Sequence, residues 1–124
     1  MLLSGCVGFG EEYTRVEGFS NQDVGAIVLK GTTSQPRLGN PPHRLWETPS
    51  GMLNAIGLHN PGIDKVVTEI LPSLNFSETC FIANVCGSTV DEYAEVTRRF
   101  DDSSIDAMEI NISCPNVKEG GVAF

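Results

Sequence analysis

Three short apolar runs are spread along the chain: Gly25-Ala26-Ile27-Val28-Leu29, Cys80-Phe81-Ile82-Ala83 and Ala107-Met108-Glu109-Ile110-Asn111-Ile112. Their brevity and β-branched content predict buried strands rather than helices. A stub at Met1-Leu2-Leu3 reads as the tail of an earlier strand. Helical spacing separates the runs. Ile63, Val66, Val67, Ile70, Leu71 and Leu74 share one helical face, and Pro72 ends or kinks that helix. Thr89-Val90-Asp91-Glu92 predicts a capping box that opens a second helix, with Val90, Tyr93, Ala94 and Phe100 on its apolar face. Glu95 and Arg99 are placed to pair one turn apart. A weaker helical stretch covers Glu11 to Phe19.

Strand, helix, strand, helix, strand implies a parallel sheet with crossover connections. Strands that are apolar throughout fit a sheet covered on both faces. Polar residues then stand at the carboxyl ends of successive strands: Ser4-Gly5, Lys30, Asn84, and Asn111 to Cys114. That placement is the active-face arrangement of a (β/α)8 TIM barrel, whereas an open doubly wound sheet gathers function at one crevice. Such a barrel takes about 250 residues. A chain of 124 residues therefore reads as a single domain spanning the N-terminal half, about the first four β/α units, and stopping in a loop at Phe124.

The segment from Gly31 to Asn60 has no clear periodicity and contains four prolines, Pro36, Pro41, Pro42 and Pro49. Its length marks it as functional or disordered. Leu45, Trp46, Met52, Leu53, Ile56 and Leu58 favour an ordered loop folded over the barrel mouth.

Charge narrows the partners. The chain carries 16 acidic and 8 basic residues, a net charge of −8, which argues against nucleic acid. No apolar run approaches a membrane span. Leu2-Leu3-Ser4-Gly5-Cys6 superficially resembles a lipoprotein cleavage box, but only Met1 to Leu3 precede it where a signal peptide needs a charged and a longer apolar region. The expected location is the cytoplasm. The four cysteines, Cys6, Cys80, Cys86 and Cys114, show neither CxxC nor zinc-ligand spacing, so free thiols and no metal are expected.

Candidate chemistry centres on Asn111-Ile112-Ser113-Cys114-Pro115-Asn116. Cys114 is either a small buried hydrophobe or a reactive thiol in a loop stiffened by Pro115. Two carboxamides nearby supply donors and acceptors. Lys30 is either a surface residue or a cation aimed into the barrel mouth, where Gly31-Thr32-Thr33 lets a ligand approach the backbone. Asn84 could equally form a turn, and Asn54 could satisfy loop backbone groups. His43 and His59 read as loop residues. Gly5-Cys6-Val7-Gly8-Phe9-Gly10 lacks the strand–glycine–helix frame of a phosphate fingerprint.

Jointly these segments resemble the dihydroorotate dehydrogenases, in particular the soluble, cysteine-type class that passes electrons to NAD through a partner subunit. The resemblance rests on Ser4-Gly5, Phe9-Gly10-Glu11-Glu12-Tyr13, Lys30-Gly31-Thr32-Thr33 and Pro36-Arg37-Leu38-Gly39-Asn40-Pro41. It continues through Glu47 to Leu58, Ile82-Ala83-Asn84-Val85, and Asn111 to Lys118. It covers essentially the whole chain but only about the first half of a family member.

The resemblance implies an FMN enzyme that oxidises dihydroorotate to orotate in de novo pyrimidine synthesis. Cys114 matches the base that takes a proton from C5 while a hydride leaves C6 for flavin N5. Lys30 matches a lysine touching both flavin and substrate. Ser4, Gly31, Asn84 and Asn111 match flavin contacts. Asn54, Ala55, Ile56, Gly57 and Leu58 match the loop holding the pyrimidine. Asn111 and Asn116 match further substrate contacts. The implied assembly is a homodimer joined to a subunit bearing FAD and an iron–sulfur cluster. Cys6 and Cys86 stand where Thr and Ala are usual, and His59 replaces the usual Gln. The family's second half supplies a further lysine, more asparagines and the glycine-rich grip on the flavin phosphate; this chain has no candidate for that grip. Two other readings stay open: a related flavin domain that reduces uracil or thymine, as in dihydropyrimidine dehydrogenase, and an inactive fragment that binds no flavin.

Overall fold

The structure, a computed structural model, describes residues 1–113. Among these, the strands are β1 (Ala26–Val28), β2 (Leu45–Thr48), β3 (Gly51–Asn54), β4 (Cys80–Val85) and β5 (Ala107–Ile110). β1, β4 and β5 form a parallel sheet in that spatial order, and Leu2 adds a parallel bridge to Ile27 on the outer side of β1. The N-terminal stub and the three apolar runs therefore lie side by side in chain order. The fold is mixed α/β with a parallel sheet, as the alternating pattern implies.

The helices bury one face on this sheet. α1 begins at Ile63–Lys65 and continues as a wider π turn, Val66–Ile70, and a tight 3-10 turn, Leu71–Ser73, that includes Pro72. Proline has no N–H to continue the regular ladder, which accounts for the change of pitch. α2 spans Val90–Asp101. Ile63, Val66, Leu71, Val96 and Phe100 pack with Ile27, Leu29, Phe81, Ala83 and Val85 in one core. Each large side chain taken out of water there stabilises the fold by roughly 1.5–3 kcal/mol.

Local expectations need correction at five places. Val90, assigned to the buried face of α2, is 81% exposed, and Val96, not assigned to it, is fully buried. Val90 opens the helix, at the end of the stripe, whereas Val96 lies at its centre. The capping box is half formed. Thr89 Oγ1 accepts from the N–H of Glu92 at 3.2 Å, but the Glu92 carboxylate reaches the N–H of Ser88. Arg99 turns away from Glu95 and binds the Asp64 carboxylate on α1, tying two helices together. The stretch from Glu11 to Phe19 forms only one 3-10 turn, Tyr13–Arg15.

The fifth correction is the largest. The aperiodic segment contains an antiparallel hairpin, β2–β3, in register Leu45↔Asn54 to Thr48↔Gly51. Its turn is Pro49-Ser50. The segment is ordered as expected, but not by burying its apolar residues: Leu45, Trp46, Met52 and Leu53 are all exposed. The backbone ladder supplies the order instead.

Candidate functional site

Lys30 owes its position to an irregularity in the sheet. Val28 pairs with Ile82, and Thr32 bridges Val85, so four steps along the first strand oppose three along its neighbour. Leu29 N–H donates to Ile82 O at 2.8 Å and Thr32 N–H to Asn84 O at 2.9 Å. The extra residue makes a bulge at Lys30-Gly31, a device that re-aims a side chain where a strand ends. The Lys30 N–H donates to Gly8 O at 2.8 Å, on the side away from β4 where the Val28 N–H donates to Leu2 O. Among the described residues, its ammonium forms no ion pair.

Gly31 is dictated by space. A Cβ there would stand 2.8 Å from Cys86 Sγ and 2.9 Å from Asn84 Oδ1. Gly5 has φ +86°, a left-handed conformation that favours glycine, and a Cβ there would lie 3.9 Å from Lys30 Nζ. Beside it, Ser4 Oγ donates to Leu29 O at 2.8 Å, which fixes the hydroxyl and leaves its lone pairs available.

The carboxamides are more tightly held than their sequence context suggests. Asn84 lies inside β4, not at its end, and is 1% exposed. Its Nδ2 donates to Glu109 Oε1, its partner across the ladder. Its Oδ1 accepts from Asn111 Nδ2 at 3.0 Å and from Cys86 Sγ at 3.3 Å. The Asn111 backbone is pinned on both sides: its N–H donates to Val85 O at 2.9 Å, and its carbonyl accepts from Tyr93 Oη at 2.5 Å.

These residues meet in one cavity of about 470 Å³ at the carboxyl ends of the parallel strands. Ser4, Lys30, Gly31, Leu58, Asn84 and Asn111 all line it, together with Glu109. A neighbouring cavity of about 520 Å³ is lined by Ser4, Lys30, Asn54 and Ile56, among others. Lys30 therefore faces both the strand ends and the loop after β3. Two expected residues are not brought there. Ala55 lines a separate cleft with Trp46 and Leu53, and Gly57 packs against Asn40. Cys114 and Asn116 lie outside the described residues.

Reasoning from sequence missed three contributors. Glu109 has no role in the sequence reading beyond its place in the third apolar run, although a lone carboxylate in an apolar strand is a signal. Tyr93 was read as core. Asn60, 3% exposed, went without a role; it organises the loop through bonds to Thr33, Leu58 and Gly62. Among the described residues no group of His, Cys, Asp or Glu is arranged to hold a metal, and no helix is long and apolar enough to cross a membrane.

Among the described residues the cavity presents the Lys30 ammonium, the Asn84 and Asn111 carboxamides, the Glu109 carboxylate and the Ser4 hydroxyl beside glycine backbone. Cavities of this size with a few fixed polar groups suit a small-molecule ligand. Comparison with known proteins identifies the family. The family model described as dihydroorotate dehydrogenase matches residues 1–124. A protein of Geobacillus kaustophilus (strain HTA426), named dihydroorotate dehydrogenase B (NAD(+)), catalytic subunit, is 55% identical over 125 residues, covering 100% of this chain and 39% of the relative. Proteins of the same name from Bacillus caldolyticus and Listeria welshimeri are 55% and 54% identical, again over the whole chain. The chain thus spans about two fifths of the length of these relatives. It belongs to the dihydroorotate dehydrogenase family.

Proposed function

We propose that the chain is the N-terminal part of the catalytic subunit of an NAD-linked dihydroorotate dehydrogenase, built as about the first four β/α units of a (β/α)8 barrel. On this reading the complete protein oxidises dihydroorotate to orotate in pyrimidine synthesis. The observation that carries the proposal is the convergence of Lys30, Asn84 and Asn111 on one cavity at the strand ends. The family match supports reading that cavity as a place for flavin and dihydroorotate.

The residues present fit an FMN ring. A cationic ammonium suits an electron-rich ring or the carboxylate of dihydroorotate. Carboxamides match the alternating donors and acceptors of a pyrimidine edge. Gly31 allows a ring to approach the backbone. Lys30, Ser4, Gly31, Asn84 and Asn111 would hold the flavin, with its phosphate gripped elsewhere in the complete protein. When bound, the flavin supplies the acceptor for the hydride.

The chain's own residues do the rest. Lys30 contacts both rings and orients them. Asn54 to Leu58, with Asn111 and Asn116, hold the substrate, although Ala55 and Gly57 would need to contribute through backbone rather than by lining the cavity. Cys114, next in sequence to the cavity-lining Ser113, takes the proton at C5 of the substrate. The complete protein would work as a cytoplasmic homodimer with a subunit carrying FAD and an iron–sulfur cluster. The test is reduction of protein-bound FMN by dihydroorotate in the full-length polypeptide under anaerobic conditions. Absence of bleaching with FMN bound would remove this activity.

For the isolated 124-residue chain a second reading is favoured: it binds no flavin. Among the described residues no strand covers the outer edge of β5. Such an edge invites pairing with other chains. Titration of the isolated chain with FMN decides, since stoichiometric binding would overturn this reading.

A further inference from the structure

Glu109 is an anomaly. It is the one charged residue of β5, and it lines the same cavity as Lys30. A carboxylate is an awkward neighbour for an anionic substrate. Its hydrogen bonds suggest what it does.

A carboxamide can be turned over with little change in shape, exchanging donor for acceptor. An ionised carboxylate only accepts. The parallel register sets Glu109 opposite Asn84, and Asn84 Nδ2 donates to Glu109 Oε1. Asn84 Oδ1 must then face the other way, where it accepts from Asn111 Nδ2 at 3.0 Å. Asn111 Oδ1 in turn accepts from the N–H of Ser113 at 3.0 Å. Donation therefore runs in one direction, from Ser113 through Asn111 and Asn84, and ends on Glu109. Turning Asn84 over would set oxygen against oxygen at Glu109 and nitrogen against nitrogen at Asn111. Each carboxamide nitrogen keeps one further hydrogen to offer.

We infer that Glu109 is a positioning residue that fixes the donor–acceptor sense of Asn84 and Asn111, so that the cavity offers N–H donors to carbonyl or imine acceptors of the ring bound there. Glu109 acts through the two asparagines. The inference rests on the reading of this cavity as a flavin and dihydroorotate site and deepens it.

The experiment uses the full-length polypeptide, with FMN binding followed by fluorescence quenching and orotate binding by the change in flavin absorption. Glu109→Gln lets Asn84 adopt either sense, and both affinities fall by about tenfold, the scale of one charged hydrogen bond. Glu109→Asp keeps an acceptor-only group opposite Asn84, and both affinities stay within about threefold of the parent, a rescue that a merely structural role does not predict because Asp departs further from the parent shape than Gln does. Should Glu109→Gln fail to fold, Glu109→Asp alone carries the test, and a loss of about tenfold or more in it overturns the inference. Unchanged affinities in Glu109→Gln, or a loss in Glu109→Asp equal to that in Glu109→Gln, overturns the inference alone. A parent protein that binds neither FMN nor orotate overturns the underlying reading, and the inference with it.

Discussion

Asn60 holds Leu58 by donating Nδ2 to the Leu58 carbonyl at 2.7 Å, inside a fully used set of bonds. The same carboxamide accepts from the N–H of Gly62 at 2.9 Å and of Thr33 at 3.2 Å, and donates to Thr33 Oγ1 at 3.0 Å. Leu58 has φ +55°, a conformation costly for a leucine, so something must hold it. Asn60→Ala would leave buried backbone groups unpaired at about 1–3 kcal/mol each. We expect a lower Tm and a raised KM for dihydroorotate in the full-length enzyme. A KM equal to that of the parent would show that the loop does not depend on this residue.

Gly31→Ala puts a methyl group against Cys86 Sγ and Asn84 Oδ1. Overpacking of this kind costs about 1–3 kcal/mol, and one of the two atoms in the way belongs to a carboxamide of the candidate site. FMN affinity should fall more than global stability does. Titration with FMN and chemical denaturation of the same sample separate the two effects.

Lys30→Met keeps most of the side chain's length but removes the charge. Because Lys30 is only half-buried and has no ion pair among the described residues, stability should change by less than about 1 kcal/mol. Turnover should fall by about 100-fold or more, the scale for losing one preorganised group at a reacting centre. Lys30→Arg should not restore it, since a planar fork does not reproduce a compact ammonium. Turnover of Lys30→Met near the parent's would take Lys30 out of the catalytic residues.

Cys114→Ala should abolish dihydroorotate turnover while leaving the full-length protein yellow, because the thiol is proposed to move a proton rather than hold the flavin. Normal turnover in that variant would refute its assignment as the base. Retained FMN is read directly from the visible absorption spectrum.

Core and surface should respond very differently. Phe100 is fully buried against the sheet, and Phe100→Ala should cost about 3–5 kcal/mol. The Arg99–Asp64 ion pair is exposed on the Asp64 side, and Asp64→Ala should cost under about 1 kcal/mol. Denaturant midpoints of the two variants test the contrast.

Much of this protein was legible one segment at a time. The runs at Ile27, Phe81 and Met108 declared strands because β-branched and aromatic residues crowd a short apolar stretch. Thr89 declared a helix start because its hydroxyl can reach a free N–H three residues on. The joint occurrence of seven segments, from Ser4-Gly5 through Glu47 to Leu58 to the Asn-Ile-Ser-Cys-Pro-Asn loop, carried the family. All of these are local signals, or local signals seen together.

What local signals could not supply is register. Asn84 meets Glu109 because two strands separated by α2 align at one offset, and a slip of one residue would send those side chains to opposite faces. The bulge that turns Lys30 exists only relative to its neighbouring strand. The β2–β3 hairpin lies among prolines and weak alternation, and its order comes from cross-strand bonds that no single residue announces. Propensity belongs to a residue and its near neighbours, whereas the direction of a hydrogen-bond chain belongs to the assembled sheet.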